Sequence, residues 1–441
     1  MFVMVYSMII KKGLLMKYTI PKITRYIYNT CLIYVKRFFW NIQNFSIILK
    51  LKHLSWLSEQ NYNKYKEFVP LSKDNIKRND NTAKIISFYL PQFYENEVNN
   101  KYFGKGFMEW YKATSAIPQF TGHYQPHLPI DVGFYDLTHD DVMYRQIELA
   151  KKYGIYGFCF YYYWFSGDTL LEKPIQNFLN NKELNFPFCL MWTNETWTTI
   201  WGDGNERKII KNQILNDGDE EKFANDIIKY IQDKRYIRIN NRPVFLLYQP
   251  QFFEKERFKS FWNYVRQKVK EQTSEDLYII TTNAGKNLGE TLKEFDFEGI
   301  VEFSHQLLPI TQYTSNLKGK YVNPHFKGNI IDIKRALKEK AHLTPREYKT
   351  FKCLYPGWDN TARKAYALRG CYVFDMGPKE YKQWLLDLIN WTKEKHQKNE
   401  QFVFVNAWNE WAEGAHLEPD QHYGYAYLQA TKEALEETVI Y

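Results

Sequence analysis

The sequence predicts an α/β fold: a (β/α)8 barrel with long βα loops and a basic, partly helical N-terminal extension. Three observations carry that prediction. Short apolar runs rich in β-branched and aromatic residues recur eight times between Lys84 and Val405, most of them followed by a stretch of helical pattern. The runs are apolar throughout instead of alternating, as strands covered on both faces are. Polar and aromatic residues gather at the C-terminal ends of these runs, the end at which such a barrel builds its site.

Taken in order, Lys84–Tyr89 is the first strand, and a long loop, Phe103–Asp131, follows it. Helix Asp140–Tyr153 leads into strand Ile155–Tyr161, and helix Lys173–Asn180 into strand Phe186–Trp192. Asp219–Lys234 is a helix capped by Asp217 or Asp219, because a carboxylate accepts from the free N–H groups of a first turn. Strand Pro243–Tyr248, helix Glu254–Gln272, strand Leu277–Thr282, a helix around Leu288–Phe295 and strand Phe297–Phe303 come next. The insertion Ser304–Lys349 contains a helix at Ile331–Lys340. Strand Phe351–Tyr355, helix Pro378–Lys395, strand Gln401–Val405 and helix His422–Glu437 complete the series. An open doubly wound sheet would carry a Gly-rich turn after strand one. Tyr89-Leu90-Pro91-Gln92-Phe93 stands there instead, and the chain has no Gly-x-x-x-x-Gly-Lys loop.

The net charge of +9 is local. Residues 1–58 hold nine of the 59 Lys and Arg residues and no Asp or Glu, so residues 59–441 carry 50 of each sign. A neutral body argues against nucleic acid as a partner. The natural division is 1–82, a basic amphipathic extension and linker, and 83–441, the barrel domain. The uncharged runs Met1–Ile10, Tyr26–Val35 and Phe38–Leu49 fall short of the ~20 residues a membrane span requires. Ile47, Ile48, Leu51 and Leu54 share helical spacing. The expectation is a cytoplasmic protein whose residues 1–58 rest on an anionic membrane surface, peripherally at the inner face of the cytoplasmic membrane. A helix packed on the domain is the alternative, and initiation at Met16 would keep seven of the nine charges. Residues 59–82 look like a polar linker. Cys31, Cys159, Cys189, Cys353 and Cys371 show no Cys-x-x-Cys spacing, which fits a reducing compartment.

The candidate chemistry lies after strand eight, in Trp408-Asn409-Glu410-Trp411-Ala412-Glu413-Gly414. If this stretch turns helically, Glu410 and Glu413 share a face. Carboxylates move protons in glycoside chemistry, and flat aromatic faces stack on sugars. The other strand ends supply candidate substrate contacts: Gln92, Tyr163, Trp164, Trp192, Asn194, Glu195, Trp197, Trp358 and Asp359, joined by Asn409 and Trp411. Glu109, Trp110, His123 and His127 come from the first loop. Pro126 makes a shared helical face for the two histidines improbable, so no metal is expected there. Asp217-Gly218-Asp219 is read as a helix start and not as a cation site. No cofactor is expected.

The motifs resemble the WbsX-type glycosyltransferase family, which is related to glycoside hydrolase family 99. The resemblance covers roughly residues 84–437. It rests on Tyr89–Phe93, Gly104–Phe107, Gly122–His127, Trp192–Trp197, Pro356–Arg363 and Trp408–Gly414. Where the family pattern has His and a Trp pair in the first loop, this chain has Tyr94 and Tyr102-Phe103. The resemblance implies a (β/α)8 barrel acting on an oligosaccharide or lipid-linked glycan in surface-polysaccharide biosynthesis (O-antigen, capsule or similar). It also implies roles. Glu410 would deprotonate a sugar 2-hydroxyl that attacks its own anomeric carbon, and Glu413 would protonate the leaving oxygen, giving net retention. That assignment requires Glu413 to hold its proton more tightly than Glu410. An endo-acting α-mannosidase-like hydrolase is the alternative, and a non-catalytic glycan-binding barrel a more distant one.

Overall fold

Eight strands buried on both faces form the centre of the chain. In the computed structural model they are β1 (Lys84–Tyr89), β2 (Ile155–Phe165), β3 (Phe188–Trp192), β4 (Arg242–Leu247), β5 (Tyr278–Thr282), β6 (Gly299–Val301), β7 (350–354) and β8 (Phe402–Val405). The structure describes residues 30, 32–36, 38, 52, 67–77, 79, 81–199, 208–282, 287–303, 310–315, 322–323, 325–363 and 371–438. The chain divides into two compact units, Met1–Asn63 and Lys64–Tyr441. In the first unit the described residues are helical. The stripe Ile47, Ile48, Leu51 and Leu54 lies outside the described residues, as do Asn283, Ser304 and His305 at two strand ends.

Every neighbouring pair around the sheet is parallel, from β1 to β2, β3, β4, β5 and β6 in turn. β7 closes the ring in two pieces: Thr350–Phe351 pairs with β6, and Cys353–Leu354 with β8, which returns to β1. Lys352 interrupts it, with its carbonyl accepting from Phe404 N at 2.9 Å. The helices α1 (Glu97–Phe103), α2 (Glu109–Ser115), α3 (Asp140–Tyr153), α4 (Lys173–Asn180), α5 (Asp219–Ile231), α6 (Lys255–Thr273), α7 (Leu288–Phe295), α8 (Ile333–Lys338), α9 (Pro378–Lys395) and α10 (Ala426–Glu437) complete the unit. The expected barrel is therefore present.

Period two decides what each strand offers to which side. On β2, Phe160 packs on Phe178 of α4, Tyr162 on Tyr230 of α5, and Trp164 donates to Asp226 of α5 at 3.1 Å. Tyr161 points the other way, against Phe88 and Phe303 inside the barrel. β2 also runs four residues beyond the predicted Tyr161. A tight turn with positive φ at Ser166 and Gly167 folds Asp168–Leu170 back onto it as an antiparallel partner.

Three further differences from the sequence reading concern the loops. Two helices, α1 just before the first loop and α2 within it, follow β1. Within the insertion, Thr314–Ser315 and Asn329–Asp332 pair with each other and, through the latter, with Tyr372–Asp375 from the loop after β7, and α8 is shorter than expected. Much of the polar linker is not one: Val69 exchanges backbone hydrogen bonds with Tyr423 and Tyr425, and Ile76 N donates to Lys152 O at 2.9 Å. Its polar backbone is satisfied by the barrel's own.

Arg235 shows how the outer layer is fastened. Its buried guanidinium donates to both oxygens of Asp233 and to the carbonyls of Phe178, Leu179, Asn181 and Leu184, where α4 ends. Cations at a helix C-terminus satisfy carbonyls that lack an intrahelical partner. Arg235→Ala is expected to cost about 3–5 kcal/mol of stability, because it removes the donor to four carbonyls and leaves Asp233 with Lys182 as its remaining cation. Urea unfolding of the purified variant measures it.

Candidate active site

β8 ends at Val405, and the chain turns back on itself within nine residues. Asn409–Glu410 pairs antiparallel with Ala415–His416 around a single 3-10 turn, Trp411–Glu413. Gly414 closes the turn at φ +57, a conformation that disfavours a side chain. A Cβ there would also come within 2.9 Å of Asp359 Cβ. Gly357 faces the same turn, where its Cβ would lie 2.7 Å from Gly414 O. Two glycines thus let the β7 and β8 loops touch, and Asp359 N donates to Glu413 O at 2.6 Å. The two glutamates meet through a single 3-10 turn that starts from Glu410, a tighter version of the helical turn expected.

They meet on Arg363. Its Nε lies 2.9 Å from Glu413 Oε1, and its Nη2 lies 3.0 Å from Glu410 Oε2 and 2.7 Å from Glu109 Oε1. Glu109 arrives from α2, whose start is fixed by a hydrogen bond from Glu109 N to Gln92 O at 3.0 Å. Glu109 is 1% exposed and Glu410 5%. Neither oxygen of Glu109 makes a well-directed hydrogen bond among the described residues, so the Arg363 contact is an off-axis ion pair. Three carboxylates face one guanidinium, and burial decides their protonation. Desolvation, then the Glu413 charge, push Glu410 well above the ordinary carboxylate range, and desolvation likewise raises Glu109. The sequence reading placed the more tightly held proton on Glu413; the elevation resolved in the structure is on Glu410.

Tyr163 lies at this group. After desolvation, the charges that act on its hydroxyl are those of Glu410, Glu195, Arg363 and Glu109. Trp197 stacks parallel on Tyr163 at 5.3 Å between centroids and holds its ring. Glu195 is half-buried near Tyr163 and Tyr248. Trp358 is half-buried, edge-on to Tyr355, and its carbonyl accepts from Phe374 N.

Other predicted contacts are engaged in packing or hydrogen bonds within the protein. Trp164 and Trp192 are fully buried on the outer face, and Trp192 Nε1 donates to Trp164 O. Trp192 therefore does not stand beside the glutamates. Trp110 donates to Tyr135 O and packs on Phe93 and Trp411. Trp411 is 1% exposed, sandwiched on His416 at 3.8 Å. Asn409 clamps the N–H and C=O of Leu90, and Asn194 does the same to Gln249. The carboxylate of Asp359 is consumed by His123, Gln125 and Thr361. Gln119 N donates to His123 Nδ1, so the His123 proton sits on Nε2 and points at Asp359. Those partners hold the Asp359 carboxyl at about 2. His127 contacts His416. Arg363 was not among the predicted contacts. Its signal was available: it ends the Pro356–Arg363 motif, and acidic residues gathered at one barrel mouth require a cation.

A family model described as "Glycosyltransferase WbsX" matches residues 85–431. The chain belongs to the WbsX glycosyltransferase family. Two curated relatives, each named "Uncharacterized protein WxcX" and from two strains of Xanthomonas campestris pv. campestris, are 35% identical over 354 residues. The match covers 80% of this chain and 50% of theirs, so this WbsX-family chain spans about half the length of the curated relatives it matches. Among solved structures, one titled "Glycoside hydrolase-like protein" is 14% identical with a TM-score of 0.49, covering 85% of this chain and 99% of that one. A GH99 endo-alpha-mannosidase from Bacteroides thetaiotaomicron is 13% identical with a TM-score of 0.47, covering 82% and 99%. The barrel itself rests on the strand pairing above.

Removing Arg363 gives a pH-dependent result. Without the guanidinium, Glu109 and Glu410 are raised further. A carboxyl with a raised folded pKa contributes stability below its unfolded value and loses it as pH rises through the folded one. Arg363→Ala is therefore expected to be closer to wild type at about pH 5 than at about pH 8, where breaking the cluster costs about 3–5 kcal/mol. Urea midpoints at both pH values measure the difference.

Proposed function

We propose that this chain is an enzyme of surface-polysaccharide biosynthesis that transfers a glycosyl unit, with Glu410 and Glu413 as the reacting pair. The observation that supports it best is the convergence of Glu109, Glu410 and Glu413 on Arg363 at the C-terminal ends of the barrel strands. Burying three carboxylates against one cation is costly. A barrel that only stacked on sugars would have no use for that arrangement. Strained electrostatics of this kind cluster where protons move.

In the roles implied by the resemblance, Glu410 takes the proton of a sugar 2-hydroxyl, which closes on the anomeric carbon. Glu413 gives a proton to the departing oxygen, then takes one from the incoming hydroxyl that reopens the ring. The substrate is an oligosaccharide or lipid-linked glycan. An acceptor sugar makes the reaction a transfer, and water makes it an endo-acting, α-mannosidase-like hydrolysis. Burial raises the Glu410 carboxyl, which fits a second assignment in which Glu410 is the acid.

Glutamine variants separate these readings. Glu413→Gln is expected to lose about 10²–10⁴-fold in turnover while binding glycan. If Glu413 is the acid, the loss shrinks on an aryl glycoside, whose leaving group needs no proton; if Glu410 is, Glu410→Gln shows that rescue instead. Near-normal turnover in either variant removes that residue from the pair.

We also propose that the N-terminal segment attaches the protein peripherally to the inner face of the cytoplasmic membrane, near lipid-linked intermediates. Residues 1–58 carry nine basic and no acidic residues, and each such charge contributes about 1 kcal/mol close to an anionic surface. No helix among the described residues is long and apolar enough to cross a membrane. Screening weakens such attachment, so full-length protein is expected to sediment with membranes at low salt and to leave them at high salt. Complete solubility at low salt, or resistance to both high salt and alkaline wash, contradicts it.

A further inference from the structure

Behind the catalytic hairpin lies a second cluster of metal-ligating side chains. His127 Nδ1 and His416 Nε2 are 2.8 Å apart, and His416 Nε2 is 3.8 Å from Asp420 Oδ2. The donor atoms of the three residues all lie within 4.8 Å of one another. His416 and Asp420 are each 2% exposed, and His127 is half-buried.

The chain holds these groups in place before any ligand arrives. Residues 128–130 run beside 419–421, with Ile130 N donating to Pro419 O and Gln421 N to Leu128 O. His416 is strand-paired to Asn409. The His416 Nδ1–H donates to Glu418 O at 2.9 Å, which leaves Nε2 as a lone pair aimed at His127 and Asp420. That is the outer hydrogen bond that metal-bound histidines ordinarily make. Backbone N–H groups of His422 and Tyr423 both bind Asp420 Oδ1, leaving Oδ2 toward His416.

An N–H···N hydrogen bond would account for the two imidazoles alone. It leaves Asp420 Oδ2 beyond hydrogen-bond distance of His416. It also leaves the hydroxyl of Tyr124 buried beside Asp420, close enough to act on its carboxyl but in no well-directed hydrogen bond among the described residues. The Tyr124 ring is fixed by stacking on His127 at 4.2 Å and by His422 at 4.5 Å. Buried polar groups are rarely left so.

We propose that His127, His416 and Asp420 bind a divalent transition-metal ion of the zinc class. Two imidazole nitrogens and one carboxylate oxygen suit such an ion. A water on its remaining position would give the Tyr124 hydroxyl its partner. Binding requires His127 to carry its proton on Nε2. The ion clips the first loop to the hairpin, since His127 Cε1 lies 3.4 Å from where a Cβ on Gly414 would stand. Its role is positional; the proton transfers stay with the glutamates.

The test uses full-length protein without a polyhistidine tag, with metal content measured by mass spectrometry after dialysis. After chelation, Zn²⁺ is titrated calorimetrically and Co²⁺ by its visible absorption. About one equivalent is expected, with affinity reduced about a hundredfold or more in His416→Ala and Asp420→Asn. His127→Gln, on a half-buried loop position, supplies a folded variant if those two fail by circular dichroism. No retained metal and no titration overturns the proposal. So does undiminished binding in a folded variant, which marks an adventitious ion.

Discussion

One guanidinium organises the mouth of this barrel. Arg363 is buried against Glu109, Glu410 and Glu413, which come from the β1 loop and the β8 loop, while Arg363 itself comes from the β7 loop. Carboxylates from separate loops would repel one another in a dry cleft; a shared cation turns that repulsion into a fixed arrangement. Burial in that excess of carboxylates raises the Glu410 and Glu109 carboxyls above their ordinary range. The arrangement therefore sets both the positions of the glutamates and their readiness to exchange protons.

The surroundings protect that geometry. Glu418 lies behind the hairpin and accepts from Trp408 Nε1, Trp411 Nε1, Gln146 Nε2 and Tyr135 Oη. Indole and amide N–H groups can only donate, so this shell is built for the anion, although burial pushes the Glu418 carboxyl up to about 7. The tryptophans around Glu410 thus orient the backbone that carries it. Asn409 does similar work by clamping Leu90, which ties the β8 hairpin to the end of β1.

The candidate site was partly legible, and the errors share a cause. Glu410 and Glu413 were recognised by their spacing and their place after an apolar strand, and the structure brings both to Arg363. Trp164 and Trp192 were taken for mouth residues because they stand near strand ends. Each occupies the outward parity of its strand and packs on helix α5 or its own neighbours. Tyr163, one residue from Trp164, has the inward parity and reaches the charged group. A strand end seen in sequence lacks that parity unless its register is known. The histidines followed the same pattern: the pairing is His127 with His416, nearly the whole length of the barrel domain apart, while His123 serves Asp359.

What the sequence determined by itself was local and periodic. Eight apolar runs buried on both faces required helices around them, hence a barrel, and the polar ends of those runs located its working face. Helices such as Lys173–Asn180 and Pro378–Lys395 have the bounds their patterns predicted. What only the tertiary structure decided was which charges share a space. Arg363 and Glu109 are separated by more than two hundred residues and meet because β7 and β1 both flank β8. Electrostatic coupling falls with distance in space, not along the chain, so no local pattern could reveal that contact.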